Sequence, residues 1–158
     1  MKSMISIFLC CILLVVNVSA ADDVSYTADE AIEYLEDGSC FVTKTETIMN
    51  YSGMQFFSGA STCSGKKTKT YKSSSGVKLW EVCVSGTFSY DGTSATCTKT
   101  TVSAKSYSTS WKVSKKSASK SGNKATAKAT GTCYRDSKVY CTYTKTVALE
   151  CSKNGKLS

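Results

Sequence analysis

From about Lys67 to the end of the chain, apolar and polar residues alternate with a period of two, the pattern of half-buried strands. In the clearest run, Trp80, Val82, Val84, Gly86, Phe88 and Tyr90 alternate with Glu81, Ser85, Thr87 and Ser89. Asp91-Gly92 follows at once. Asp-Gly between alternating runs is a strong signal for a two-residue hairpin turn. Such a turn pairs Tyr90 with Thr93, Phe88 with Ala95 and Gly86 with Cys97. Cys97 then shares the buried face, and Cys83 points the other way. Tyr107, Thr109, Trp111 and Val113 read as the next strand, and Ser121-Gly122-Asn123 as a turn.

Two long strands close the chain. Ala125, Ala127, Ala129, Gly131 and Cys133 form one small-residue face; Val139, Cys141, Tyr143, Lys145, Val147, Leu149 and Cys151 form a larger one. Setting the small face against the large one pairs Ala127 with Val147 and Ala125 with Leu149. This register requires an odd loop and puts Cys133 opposite Cys141. Directly opposed residues have Cβ atoms about 4.5–5.5 Å apart. A disulfide needs about 3.5–4.5 Å, so the pair must occupy a non-hydrogen-bonded site.

Before Lys67 the pattern changes. Thr27 and Glu30 fit a capping box, Ala28, Ile32 and Leu35 recur at helical spacing, and Asp37-Gly38 ends the run. One short acidic helix is expected over 28–36. Residues 39–49 are rich in Thr and β-branched residues and read as a strand. Residues 50–66, with Gly53, Gly59 and Gly65, read as a loop or linker. Strands with turn signals every 8–12 residues or so predict a mainly β fold, an antiparallel β-sandwich. Cys97 and Cys151 lie on inward faces of different hairpins, with Trp80 and Trp111 available to pack on them. That is the immunoglobulin-like arrangement. The Lys-, Ser- and Thr-rich run 112–124 has a competing reading as a disordered stretch.

The N-terminus changes the picture of where this fold works. Lys2 is followed by the apolar run from Met4 to Val16, and Val18-Ser19-Ala20 offers small residues at a cleavage site, with Ala21 allowing a one-residue shift. Residues 1–20 are therefore expected to be a secretory signal peptide, the protein secreted and extracellular. The run is short for a membrane span, which needs about 20 residues. The expected organisation is 1–20 signal, 21–66 acidic N-terminal helix, strand and linker, and 67–158 basic sandwich domain.

Without 1–20, seven cysteines remain: Cys40, Cys63, Cys83, Cys97, Cys133, Cys141 and Cys151. In an oxidising compartment such cysteines tend to pair. Seven is odd, so at least one is free or bonds another chain. Cys97, Cys151, Cys133 and Cys141 are the disulfide candidates, with one further bridge allowed among Cys40, Cys63 and Cys83. With no histidine and no C-x-x-C, neither a metal nor another cofactor is expected.

Charge is uneven. Residues 22–46 hold eight acids against Lys44, a net −7, and residues 47–158 hold eighteen cations against four acids, a net +14. The lysines are a solvated face or an attractor for an anionic polymer such as teichoic acid, acidic glycan or DNA. The absence of histidine removes Ser-His-Asp and Cys-His mechanisms as usually built. The carboxylates left for glycoside cleavage, Glu81 and Glu150, fall on outward faces. No enzyme is expected. Asn50-Tyr51-Ser52 matches a glycosylation sequon. Tyr71, Tyr90, Tyr107, Tyr134, Tyr140 and Tyr143 interleave with lysines, which suits cross-strand packing better than stacking on single-stranded nucleic acid.

The segment Thr70-Tyr71-Lys72, then Gly76-Val77-Lys78-Leu79-Trp80 and Gly86 through Thr98, resembles a family of small secreted proteins of clostridial-type bacteria. Ser117 to Asn123 and the ending Lys145 to Ser158 fit it too, so the resemblance covers about 67–158. The family is a domain of unknown function and brings no catalytic residues. It implies that Cys97 and Cys151 form the family's own pair. The expected function is a secreted, non-catalytic protein that binds an anionic polymer or a cell-envelope partner. The rival is a secreted antimicrobial or toxin-like effector, which growth inhibition of neighbouring bacteria would distinguish.

Overall fold

The structure is a computed structural model and describes residues 24–50 and 60–158. The expected signal peptide and the middle of the expected loop, residues 51–59, lie outside the described residues. Eight strands follow in order: β1 (Val24–Tyr34), β2 (Cys40–Asn50), β3 (Ser61–Lys72), β4 (Lys78–Tyr90), β5 (Ala95–Ser106), β6 (Trp111–Ser121), β7 (Lys124–Arg135) and β8 (Lys138–Glu150). They form two antiparallel sheets, β1-β2-β3-β4-β5 and β6-β7-β8. The described part is mainly β and contains no helix.

Strand order is sequential in both sheets. An immunoglobulin fold instead divides its strands between sheets in Greek-key order. The tryptophans depart from that expectation too. Trp80 stacks on Trp111 at 6.3 Å between ring centroids, within an aromatic group that includes Phe41, Tyr71 and Tyr143. Phe88, the cross-strand partner of Cys97, lies eight residues along β4 from Trp80, about 26 Å at strand rise.

The expected helix over 28–36 is replaced by β1, followed by a turn. β1 pairs with β2 along its whole length, from Val24 opposite Asn50 to Tyr34 opposite Cys40. Pairing with a neighbour overrides the weak helical spacing of three apolar residues. Gly38 still acts as a punctuator: its φ of +77° shapes the β1–β2 turn, closed by Leu35 N–H to the Ser39 carbonyl at 2.8 Å. The expected linker also shifts. Ser61 to Lys66 belong to β3, which pairs with β2 from Ser64 to Lys72 and so carries the sheet across the boundary expected at residue 66.

Two hairpins test the expected registers. Around Asp91-Gly92 the turn has four residues, so Phe88 pairs with Cys97 rather than with Ala95. A two-residue turn of this kind needs positive φ at both positions, and only Gly92 has it, at +83°. The Asp91 carboxylate instead accepts from Thr93 N–H at 2.9 Å and Ser94 N–H at 2.7 Å, which widens the loop. The β7–β8 hairpin has the expected register: Ala127 faces Val147, Ala125 faces Leu149 and Cys133 faces Cys141. Its loop, however, is even. Asp136 and Ser137, both at positive φ, make a two-residue turn, and a bulge beside Cys133 supplies the odd residue. Tyr107 and Thr109, expected in a strand, lie in the connection from β5 to β6.

One buried cluster draws on both sheets: Val82, Val84 and Phe88 from the first, Ala125, Ala127, Ala129 and Leu149 from the second, and Leu157 from the C-terminal segment. The small face of β7 leaves room for the larger side chains of β4. An atom at the Cβ position of Gly131 would come within 2.4 Å of the Trp80 ring.

Candidate functional site

No two of the seven described cysteine sulfurs stand at bonding distance. Three of these cysteines belong to the buried cluster: Cys63, Cys97 and Cys151. Cys63 on β3 and Cys97 on β5 both pair with Phe88 of β4, so the three residues form a row across the first sheet. Cys151 follows β8 on the second sheet. The turn Gly122-Asn123 fixes its position relative to Cys97: the Gly122 carbonyl accepts from Cys97 N–H at 2.7 Å, and the Asn123 carbonyl from Cys151 N–H at 3.0 Å. Asn123 also donates its side-chain amide to the Cys151 carbonyl at 2.7 Å.

The sulfur that meets Cys151 is that of Cys63, at 3.5 Å. The Cys97 thiol turns instead to the Lys99 carbonyl at 3.3 Å. Burial, reinforced by the hydrogen bond with Cys151, pushes the Cys63 thiol up to about 12. Burial also raises Cys97 and Cys151 above the ordinary thiol range. The sequence offered Cys63 only for a further bridge with Cys40 or Cys83, because the glycines and serines around it suggested a loop and assigned it no face. The usable signal was the alternation Cys63, Gly65, Lys67, Lys69, Tyr71, which β3 turns to one side.

Cys133 and Cys141 sit directly opposite each other, half-buried. Burial is the main reason the Cys141 thiol is raised, with Cys133 adding to it. Cys40 and Cys83 are not brought together. Cys83 is level with Thr68 and hence with Lys44, four residues beyond Cys40 and two strands away. Strand spacings put that separation at about 16 Å, far beyond the roughly 7 Å between Cα atoms that a disulfide spans. Cys83 alternates away from the core as expected, yet is only 8% exposed.

Charge divides by sheet. Residues 24–106, which build the first sheet, hold eight cations and eight acids, a net of zero; residues 111–150, which build the second, hold nine cations against Asp136 and Glu150, a net of +7. Lys112, Lys115, Lys116, Lys120, Lys124, Lys128, Arg135 and Lys138 are all exposed. Glu150 engages Lys124 at 2.6 Å. At the open side of the molecule, Glu33 of β1 lies 3.6 Å from Lys145 of β8 and 4.0 Å from Lys69 of β3. Lys145 also stands 3.9 Å over the Phe41 ring. Burial lowers the nearby Lys67, while Glu150 and Asp29 oppose that shift.

Tyr71 and Tyr143 pack in the aromatic group, and Tyr107, Tyr134 and Tyr140 each carry a cation over the ring. They are distributed through the fold rather than aligned as one platform. Glu81 and Glu150 share no cleft. Glu81 alternates outward from Trp80 on the first sheet, where its carboxylate raises the Tyr107 phenol; Glu150 alternates outward from Leu149 on the second. An open depression of about 230 Å³ lies where Gly65 and Gly86 pair, with Lys66 and Lys99 in its walls and no carboxylate or thiol. Among the described residues, no three Cys, Asp or Glu side chains are placed to hold one metal ion. Comparison of the chain with family models, curated proteins and solved structures finds no match.

Proposed function

We propose that this is an exported, non-catalytic binding protein. Its fold is read as a two-sheet sandwich with sequential strand connections, whose smaller sheet presents a basic surface to an anionic polymer such as teichoic acid or an acidic glycan. The observation that carries the reading is the division of charge, zero over residues 24–106 and +7 over 111–150. Like charges gathered on one sheet raise the local potential and favour an extended polyanion over scattered small anions. Serines and threonines between the lysines add hydrogen-bonding hydroxyls. The Cys133–Cys141 pair is read as a disulfide that ties the β7–β8 hairpin.

The test is retention on an immobilised polyanion as salt is raised. Replacing Lys112, Lys116 and Lys128 together by Gln should lower the eluting salt concentration clearly more than replacing Lys66, Lys78 and Lys99 on the first sheet. Both triple variants remove three charges, so equal losses would show a response to net charge alone and overturn the surface assignment. Export is checked by N-terminal sequencing of protein from the medium, expected to begin at Ala21 or Asp22.

A further inference from the structure

We propose that Cys63 and Cys151 form a covalent bridge between the two sheets, and that Cys97, the partner expected from the sequence, remains a thiol. The row across the first sheet sets the alternatives. Cys63 and Cys97 both oppose Phe88 from either side, so two strand spacings separate them. That is about 9.6 Å, and a disulfide spans at most about 7 Å between Cα atoms. Cys63 and Cys97 therefore cannot bond each other. Cys151 faces the row from the second sheet and has one sulfur to give.

Geometry selects Cys63. Its sulfur lies 3.5 Å from that of Cys151, a closure of about 1.5 Å from a bonded pair. Cys97 sits beside the register shift between Thr87 and Phe88, and its sulfur is turned to the Lys99 carbonyl at 3.3 Å, while the sulfur within reach of Cys151 is that of Cys63. The four-residue turn at Asp91 is the origin of this arrangement, because it places Cys97 opposite Phe88 rather than Gly86.

Bond formation removes two protons and two electrons from the two thiols. The oxidant is a small-molecule or protein disulfide, which is reduced to two thiols. One cysteine thiolate attacks that disulfide to give a mixed disulfide, and the second thiolate displaces the leaving thiol. Cys63 is 2% exposed and Cys151 fully buried in the folded chain. Burial also disfavours their thiolates, so exchange belongs to folding, before the core closes. Once formed, the bridge is shielded from reductant until the fold opens.

The inference rests on the reading of the protein as exported, since an oxidising compartment is where such a bridge persists. Refolding in vitro separates the two. The full chain is reduced in denaturant, refolded with a mixture of oxidised and reduced glutathione, alkylated and digested with trypsin without reduction. The expected product joins the peptide 45–66, which carries Cys63, to the peptide 146–153, which carries Cys151. The same link should persist in Cys97→Ser. Peptide 79–99 joined to 146–153 through Cys97 in the unsubstituted chain would overturn the proposal, as would alkylated Cys63 in refolded protein. A bridge that forms here in a protein retained by its cell would sink the export reading alone.

Discussion

Gly131 is a glycine because Trp80 occupies the space where a side chain would begin. A Cβ there would lie 2.4 Å from Cε2 and 2.6 Å from Cδ2 of the indole. Trp80 is 1% exposed and stacked on Trp111, so it has little room to retreat. Gly131→Ala should therefore cost about 1–3 kcal/mol, the usual range for overpacking a filled core. Urea unfolding followed by tryptophan fluorescence would read it. A variant as stable as the parent would mean that the sheets can separate locally at no cost. The small face of β7 was legible in the sequence as a run of alanines ending in Gly131. What the sequence did not show was the partner: the alanines and Gly131 accommodate side chains of β4 on the other sheet, as well as matching β8 beside them.

At the scale of strands, legibility depended on whether a local signal had competition. β4, β7 and β8 stood out because their alternation is long and the turns between them are marked. The β7–β8 register followed from matching small residues to large ones, a constraint that spans the whole hairpin and tolerates a bulge. The β4–β5 register was inferred from two turn residues alone. It failed because the Asp91 side chain bonds the backbone of Thr93 and Ser94 more readily than Asp91 adopts positive φ. β1 was misread because Ala28, Ile32 and Leu35 lie at helical spacing while the pairing partner that decides the matter, β2, is reached only after a turn. The Asp91 turn carries a pH signature. Hydrogen bonds, first that from the Thr93 side chain and then those from the Ser94 and Thr93 backbone, hold the carboxyl at about 2, below its ordinary 3.8. A depressed folded value means that the stabilisation is complete above about pH 4 and is lost as pH falls through about 2. Asp91→Asn should flatten that part of the acid limb in a plot of unfolding midpoint against pH. An unchanged acid limb would show that this turn is not a source of acid sensitivity.

For the molecule as a whole, two links join the sheets beyond packing and hydrogen bonds such as that from Cys97 N–H to the Gly122 carbonyl. The Cys63–Cys151 bridge would close a separation of 88 residues, worth about 4–5 kcal/mol in the chain-entropy model. The other link is ionic. Glu33 sits between Lys69 of its own sheet and Lys145 of the other, with 53% of its side chain exposed. At that exposure the bridge contributes less than about 1 kcal/mol. Its greater consequence is for the charge that a polyanion meets. The acidic N-terminal strand is hydrogen-bonded into the sheet and spends a carboxylate on two lysines at the open side of the molecule. Deleting β1 and β2 would bare the edge of β3 and confuse charge with misfolding. A single substitution avoids that. Glu33→Gln releases Lys69 and Lys145, whereas Glu36→Gln, in the β1–β2 turn, makes the same change in net charge and releases neither. Retention of Glu33→Gln on an immobilised polyanion should exceed that of Glu36→Gln at about 0.15 M salt. There the screening length is roughly 8 Å and only nearby charge is felt. The difference should shrink as salt rises. Equal retention of the two variants would mean that Glu33 masks nothing and that the N-terminal acids act only through the total charge of the chain.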